Sequence, residues 1–186
     1  MIVCRRAEPE DAGAIRRIAE TLRFKPPGSE KGFLVHVRSE ADYRSILEMS
    51  RHSFVAEEED IVVGYLLVHT VPELERLTAG ILGSDKTVSY VLGLNDRTAV
   101  YADQIGVSLD ARSRGTGQKL AEAMASDNPR AHFLAAIMHR PARNIVSLRL
   151  ALRNGWTLRT ELEDAAFVWG IYELPMAAAH SHNIYI

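Results

Sequence analysis

The sequence predicts an α/β fold, a mixed and mostly antiparallel sheet flanked by helices, on three observations. Apolar runs of strand length and stretches of helical period follow one another in the order β α α β β, insert, β α β α β β. Some neighbouring strands are separated by a short turn and others by a whole helix, so hairpins and crossovers must share one sheet. Residues 99–127 read as strand, glycine-rich turn and helix in direct succession. At 186 residues, 47% of them hydrophobic, the chain suits one domain (1–186) with a sizeable core.

Each element has a local reason. Ile2 to Arg6 suits a short edge strand, and Glu8-Pro9-Glu10-Asp11 opens a helix with proline early and carboxylates in its first turn. Ala12, Ile15, Ile18, Ala19 and Leu22 give that helix its apolar stripe. Residues 24–38 hold Pro26, Pro27, Gly28 and Gly32, a long connection of the kind that often binds ligands. Ser39 and Asp42 form a capping-box-like start for a second helix. Residues 53–57 and 61–69 read as a hairpin across an acidic turn. Residues 71–98 look inserted: a short helix over 72–82, then residues 88–92 as an extra strand or part of a loop. After the central strand and helix come a buried strand over 131–138, a helix opened by Pro141 and Asn144 and stopped at Asn154-Gly155, and an antiparallel pair over 156–162 and 166–174. Residues 176–186 form a tail. The expected core draws on Ile15, Ile18, Leu22, Ile46, Val63, Leu66, Val107, Leu120, Met124, Leu134, Ile137, Leu148 and Leu152.

Composition excludes several classes of function. A net charge of −2 and the lack of a basic run give no footprint for nucleic acid. No run of 18 apolar residues suggests a membrane span, and the N-terminus turns acidic too soon for a signal peptide, so a cytoplasmic protein is expected. The one cysteine, Cys4, forms no internal disulfide and reads as a small buried hydrophobe. His180 and His182 lack a third ligand nearby, and no metal is expected.

Chemistry concentrates at Arg112 to Gly117, directly after the central strand. A turn there leaves backbone N–H groups unpaired at a helix N-terminus, where the dipole favours an anion. Arg112, Arg114 and Lys119 add positive charge. Taken alone, the turn is as well explained by tight packing. It is not a P-loop, since Gln118 follows Gly117, and the dinucleotide fingerprint would need a small residue at Leu120. It does read R-x-x-G-x-G.

That motif resembles the acetyl-CoA turn of the GCN5-related N-acetyltransferase (GNAT) family. Three other segments match in order: IVCRRAEPEDAGAIRRIAETL, FVAEEEDIVVGYLLV, and NIVSLRLALRNGW with its Asn144 and Gly155-Trp156. The resemblance implies a GNAT fold in which the central strand splays from the next and acetyl-CoA lies in the wedge. The cosubstrate would be held by main-chain groups of Ile105, Gly106 and Val107, by Arg112, Arg114, Gly115, Thr116, Gly117 and Gln118 around the diphosphate, and by Asn144. Many members carry a tyrosine where this chain has Ala151, as the acid for the leaving thiolate.

The implied reaction is attack of an amine on the thioester, which needs a base and an oxyanion donor. Alternation along the central strand puts Tyr101, Asp103 and Ile105 on one face and Ala102, Gln104 and Gly106 on the other. Asp103 is the one carboxylate there and is the candidate base, oriented by Tyr101; a plain surface role for it is an equal alternative. His69 ends one strand and His139 follows another; each reads first as an exposed or core-satisfied histidine, with a place near the cleft as the alternative, and Tyr65 and Tyr90 read as packing residues that could also line the acceptor pocket. Two functions remain: an N-acetyltransferase acting on a small-molecule or peptide amine, with a homodimer allowed, or a CoA-binding module that transfers nothing. Asp103 favours the first and Ala151 the second.

Overall fold

The computed structural model describes residues 1–25, 32–82, 86–112, 114–164 and 166–175. Seven strands form one sheet: β1 (Ile2–Arg6), β2 (Phe54–Glu58), β3 (Ile61–Thr70), β4 (Ala99–Val107), β5 (His132–Arg140), β6 (Thr157–Asp164) and β7 (Phe167–Leu174). Their order is β1-β2-β3-β4-β5-β7-β6, antiparallel except for β4 beside β5. That one parallel junction follows from the chain order, because the helix after β4 carries the chain back to the start of the next strand.

Six helices cover the two faces: α1 (Ala12–Thr21), α2 (Glu40–Met49), α3 (Val71–Leu77), α4 (Lys86–Gly93), α5 (Thr116–Asp127) and α6 (Ile145–Arg153). Helices α5 and α6 close one face over Leu66, Val68, Phe133, Ile137 and Trp156. Helices α1 and α2 close the opposite face over Val55, Tyr65 and Leu67, and α3 with α4 continue it over Tyr101, Leu134 and Ile171. Residues 88–92 are therefore helical. Their strand-like composition is overridden because Val88 and Val91, three apart, both reach the core from one side of a helix. The expected core holds with one correction. Leu152 is 54% exposed, on the outer side of α6.

Helix α2 starts as the sequence suggests. Ser39 Oγ accepts the Asp42 N–H at 3.1 Å, and Asp42 Oδ2 accepts the Ser39 N–H at 3.2 Å. We expect Ser39→Ala to cost about 1 kcal/mol, as loss of an N-cap usually does. Calorimetry should then show a melting point lower by ~2–4 °C, the shift expected for a domain of this size.

Among the described residues no helix is long and apolar enough to cross a membrane, and no cluster of three metal-ligating side chains occurs. His180 and His182 lie outside those residues. Cys4 packs against the α5 face, and burial pushes its thiol up.

Candidate active site

The site begins where β4 and β5 part. They pair only from Ala99 opposite His132 to Ala102 opposite Ala135. Beyond that point β5 stays with β7 and β4 stays with β3, which opens a wedge. The direction of the free main-chain groups on β4 follows from register. The Ser108 N–H bonds the Val63 carbonyl at 2.8 Å, and antiparallel pairing alternates, so Gly106 and Gln104 turn their groups toward β3. Ile105 and Val107 then turn theirs into the wedge. Arg112 Nε reaches the Val107 carbonyl from that side, at 3.4 Å. Gly106 does something else: a Cβ there would lie 2.5 Å from Tyr65 Cε1, so only glycine lets that buried ring cross the strand.

A bulge interrupts β4. Leu67 is opposite Gln104 and Val68 is opposite Ala102, leaving Asp103 as the extra residue. One extra residue resets the alternation. Asp103 and Gln104 consequently project to the same face, that of α1 to α4, while Ile105 and Val107 pack on the α5 face with Ala102. The face assignment expected from simple alternation is corrected on this point.

Around Asp103 lie Arg38 and His69. Arg38 Nη1 is 2.9 Å from Asp103 Oδ2, and His69 Nε2 is 3.6 Å from the same oxygen. The side chains are 14%, 10% and 0% exposed for Arg38, Asp103 and His69. Burial pushes the Asp103 carboxyl up, but Arg38 and then His69 outweigh it and hold it well below the usual carboxylate range. The expected orienting partner, Tyr101, is corrected: its hydroxyl lies 3.3 Å from Thr87 Oγ1 on α4, and Arg38 and His69 flank the carboxylate instead. Gln104 braces the same region. Its Oε1 accepts from the Tyr43 and Tyr65 hydroxyls at 3.1 and 3.2 Å, and its Nε2 donates to the His36 carbonyl at 2.6 Å.

A cavity of about 570 Å³ runs through the wedge. Met124, Leu150, Ala151 and Trp156 line it on the α5–α6 side. Arg38, Thr87, Tyr101, Asp103 and Trp169 line it on the other, where the His36 and Trp169 rings stack with centroids 6.2 Å apart. Residues 33–38 cross the mouth. Asn144 Nδ2 donates to the Phe33 carbonyl at 2.9 Å, and Gln104 holds the His36 carbonyl as above. Asn144 Oδ1 accepts the Ser147 N–H at 3.3 Å, capping α6. Both ends of the amide expected to reach a cofactor are thus engaged, by a helix end and a loop.

A second cavity of about 440 Å³ sits at the glycine turn, between α5 and α6. Gly115 has φ +77°, the left-handed region that favours glycine, and Thr116 Oγ1 pins the turn to the Ala111 carbonyl at 3.0 Å. Gly117 faces Leu150 and Ile105 across the gap. Arg112 lines this cavity, and burial pushes its guanidinium down, which an anion beside it would reverse. The expected cluster of cations is redistributed. Arg114 pairs with Glu58 at 2.6 Å and Lys119 donates to the Ile2 carbonyl at 2.9 Å, both toward the far end of the sheet. The Gln118 amide exchanges hydrogen bonds with Asn154 at 2.8 and 2.9 Å, tying α5 to α6. In their place stand Arg149 and Arg153 of α6, which sequence reading did not single out. Their spacing of four, one helical turn, was the available signal.

His139 and Tyr90 are placed elsewhere. His139 Nδ1 meets Glu161 at 2.5 Å and its Nε2 meets the Tyr172 hydroxyl at 3.0 Å, while the Tyr90 hydroxyl accepts from Arg159 at 2.9 Å.

No protein-family model matches the chain, and no curated protein matches it by sequence. Solved structures do match over nearly its whole length. An acetyltransferase of the GNAT family from Bacillus cereus superposes with a TM-score of 0.62 at 14% identity, covering 94% of this chain and 97% of its own. YncA from Salmonella typhimurium, solved with its cofactor acetyl-CoA, gives 0.61 at 16%, covering 98% and 96%. Diaminobutyrate acetyltransferase EctA from Paenibacillus lautus, in complex with L-2,4-diaminobutyric acid and coenzyme A, gives 0.60 at 16%, covering 95% and 96%. The likeness is one of fold: this chain has the GNAT fold.

Proposed function

We propose that this chain is an N-acetyltransferase that passes the acetyl group of acetyl-CoA to the amine of a small molecule or peptide. The observation that carries this reading is the wedge. Main-chain groups of Ile105 and Val107 that β5 does not pair line the gap between the turn at Gly115–Gly117 and a buried carboxylate at Asp103, with Arg112 Nε on the Val107 carbonyl. The diphosphate would rest on the N–H groups that open α5, with Arg112, Arg149 and Arg153 around it. The pantetheine arm would run along β4, bonded as an added strand is. Its thioester would end near the bulge, where a main-chain N–H can meet the developing oxyanion. The acceptor would enter from the side of Trp169 and residues 33–38.

Asp103 meets the ammonium of the acceptor and is the first group to receive its proton. At Ala151 no hydroxyl is available to the thiolate, which is a good enough leaving group to depart without one. That alanine favours the second reading, a CoA-binding module without transfer. Release of CoA thiol from acetyl-CoA with a panel of primary amines separates the two: turnover supports the enzyme, and tight CoA binding without turnover on any amine supports the module.

The arginines of α6 give a separate expectation. Exposed charges contribute about 1 kcal/mol or less each in screened solvent. Arg149→Ala and Arg153→Ala should each weaken CoA binding up to about fivefold, with the loss growing as salt is lowered. Calorimetry at two ionic strengths checks it.

A further inference from the structure

Arg38 Nη1 and His69 Nε2 lie 2.9 and 3.6 Å from Asp103 Oδ2; all three atoms are buried, and none makes a well-aligned hydrogen bond. The tautomer of His69 explains the mismatch. Ser50 Oγ lies 2.7 Å from the Val68 carbonyl, which can only accept, so the hydroxyl proton points there. His69 Nδ1, 3.0 Å from the same Oγ, must then be the donor. In the neutral ring that leaves the Nε2 lone pair facing a carboxylate oxygen. Two acceptors confront each other, and one added proton turns the contact into a hydrogen-bonded ion pair.

We infer that His69 is the resting place of the proton removed from the acceptor amine, with Asp103 passing it from the cavity to Nε2. This rests on the acetyltransferase reading above. The ammonium N–H breaks, its electron pair stays on nitrogen, and the proton moves through an Asp103 oxygen to His69 Nε2. Nitrogen then attacks the thioester carbon, the C–N bond forms and the C–S bond breaks. The second proton left on nitrogen goes to the departing sulfur. Between turnovers His69 gives its proton back to water by the same path, and Asp103 is ionised before and after each transfer.

Arg38 favours this division. Its guanidinium holds the Asp103 carboxyl well below the usual carboxylate range, which makes Asp103 a poorer place for the proton to rest than an imidazole. Imidazole is the side chain whose ordinary titration falls between pH 5 and 8. The charged and titratable groups facing His69 are few. From β4 come Asp103 and Tyr101, and from the loop before α2 comes Arg38. Glu73 of α3 is taken up by the Thr70 N–H and hydroxyl and by the Arg51 N–H. Among the described residues Asp103 is therefore the one anion aimed at the ring.

His69→Gln tests the relay, because glutamine can still donate to Asp103 but cannot store a proton. Turnover near pH 7 should fall about 10²-fold, within the range for a lost base, with the acetyl-CoA KM unchanged. Its rate should keep rising toward the pKa of the amine, where the wild-type rate has levelled off. Full rate with a wild-type pH profile would overturn the proposal. Nitrogen-detected NMR of the wild type gives a readout free of turnover: the neutral ring should carry its proton on Nδ1, and a proton on Nε2 would also overturn it. If His69→Gln does not fold, Ser50→Ala serves, which should lose the Nδ1 preference and slow turnover while keeping the imidazole. A wild type that turns over no amine overturns the acetyltransferase reading and the relay with it; a wild type that turns over amines while His69→Gln matches it overturns the relay alone.

Discussion

Gly117→Glu should remove CoA binding while leaving the fold in place. A Cβ at Gly117 would meet Leu150 Cδ2 at 3.4 Å and Ile105 Cδ1 at 3.8 Å, ordinary contacts that the backbone accepts. The rest of the glutamate would enter the cavity at the turn and set a carboxylate where the diphosphate is proposed to sit. Two like charges held together away from water cost several kcal/mol, and each 1.4 kcal/mol is tenfold in affinity. A loss of at least ~10²-fold is therefore expected by calorimetry, with native circular dichroism. Gly117→Ala should keep most of the affinity, since a methyl group fits. Undiminished binding by the glutamate variant would mean that CoA does not use this turn. Gly115 is the poorer test, because at φ +77° any side chain strains the backbone regardless of ligand.

Asp103→Asn should lower turnover by ~10²–10⁴-fold near neutral pH with CoA affinity unchanged, the range for loss of a positioned base. The deficit should shrink at high pH, where the amine is already neutral. Combined with His69→Gln it should cost little more than the worse single change, because both act on one proton. The stability consequence has its own sign. A carboxyl held below its unfolded value contributes stability that is present in full above about pH 4 and is lost as the pH falls further. Asparagine removes that contribution and leaves Arg38 buried without its partner, so this variant should also be less stable at pH 7 and less sensitive to acid.

The order of elements was legible because each carries a local signal: a proline and carboxylates before α1, Ser39 before α2, two glycines before α5. Residues 88–92 were not legible, since a short, mostly apolar run of five fits a strand or a helix until its neighbours are known. At the site, the turn follows from short-range pattern, and the main-chain groups of Ile105 and Val107 from the family resemblance. The company of Asp103 does not. Arg38 is 65 residues away in sequence and His69 is on another strand, and nothing local announces that they meet. The bulge is likewise invisible, because alternation is read by counting and a bulge changes the count. Arg114 and Lys119 looked like phosphate ligands by nearness in sequence, and were claimed by Glu58 and the Ile2 carbonyl across the sheet.

The segment over the wedge touches both halves of the proposed site. Gly32 and Phe33 border the cavity at the turn, while His36 and Arg38 border the one that holds Asp103, six residues apart at most. Whatever steadies this strip from one end is felt at the other, and thermodynamic linkage makes the exchange mutual: an acceptor that tightens CoA tenfold is itself tightened tenfold by CoA. In the proposed reaction such coupling would favour a ternary complex, with acetyl-CoA and amine held together before transfer.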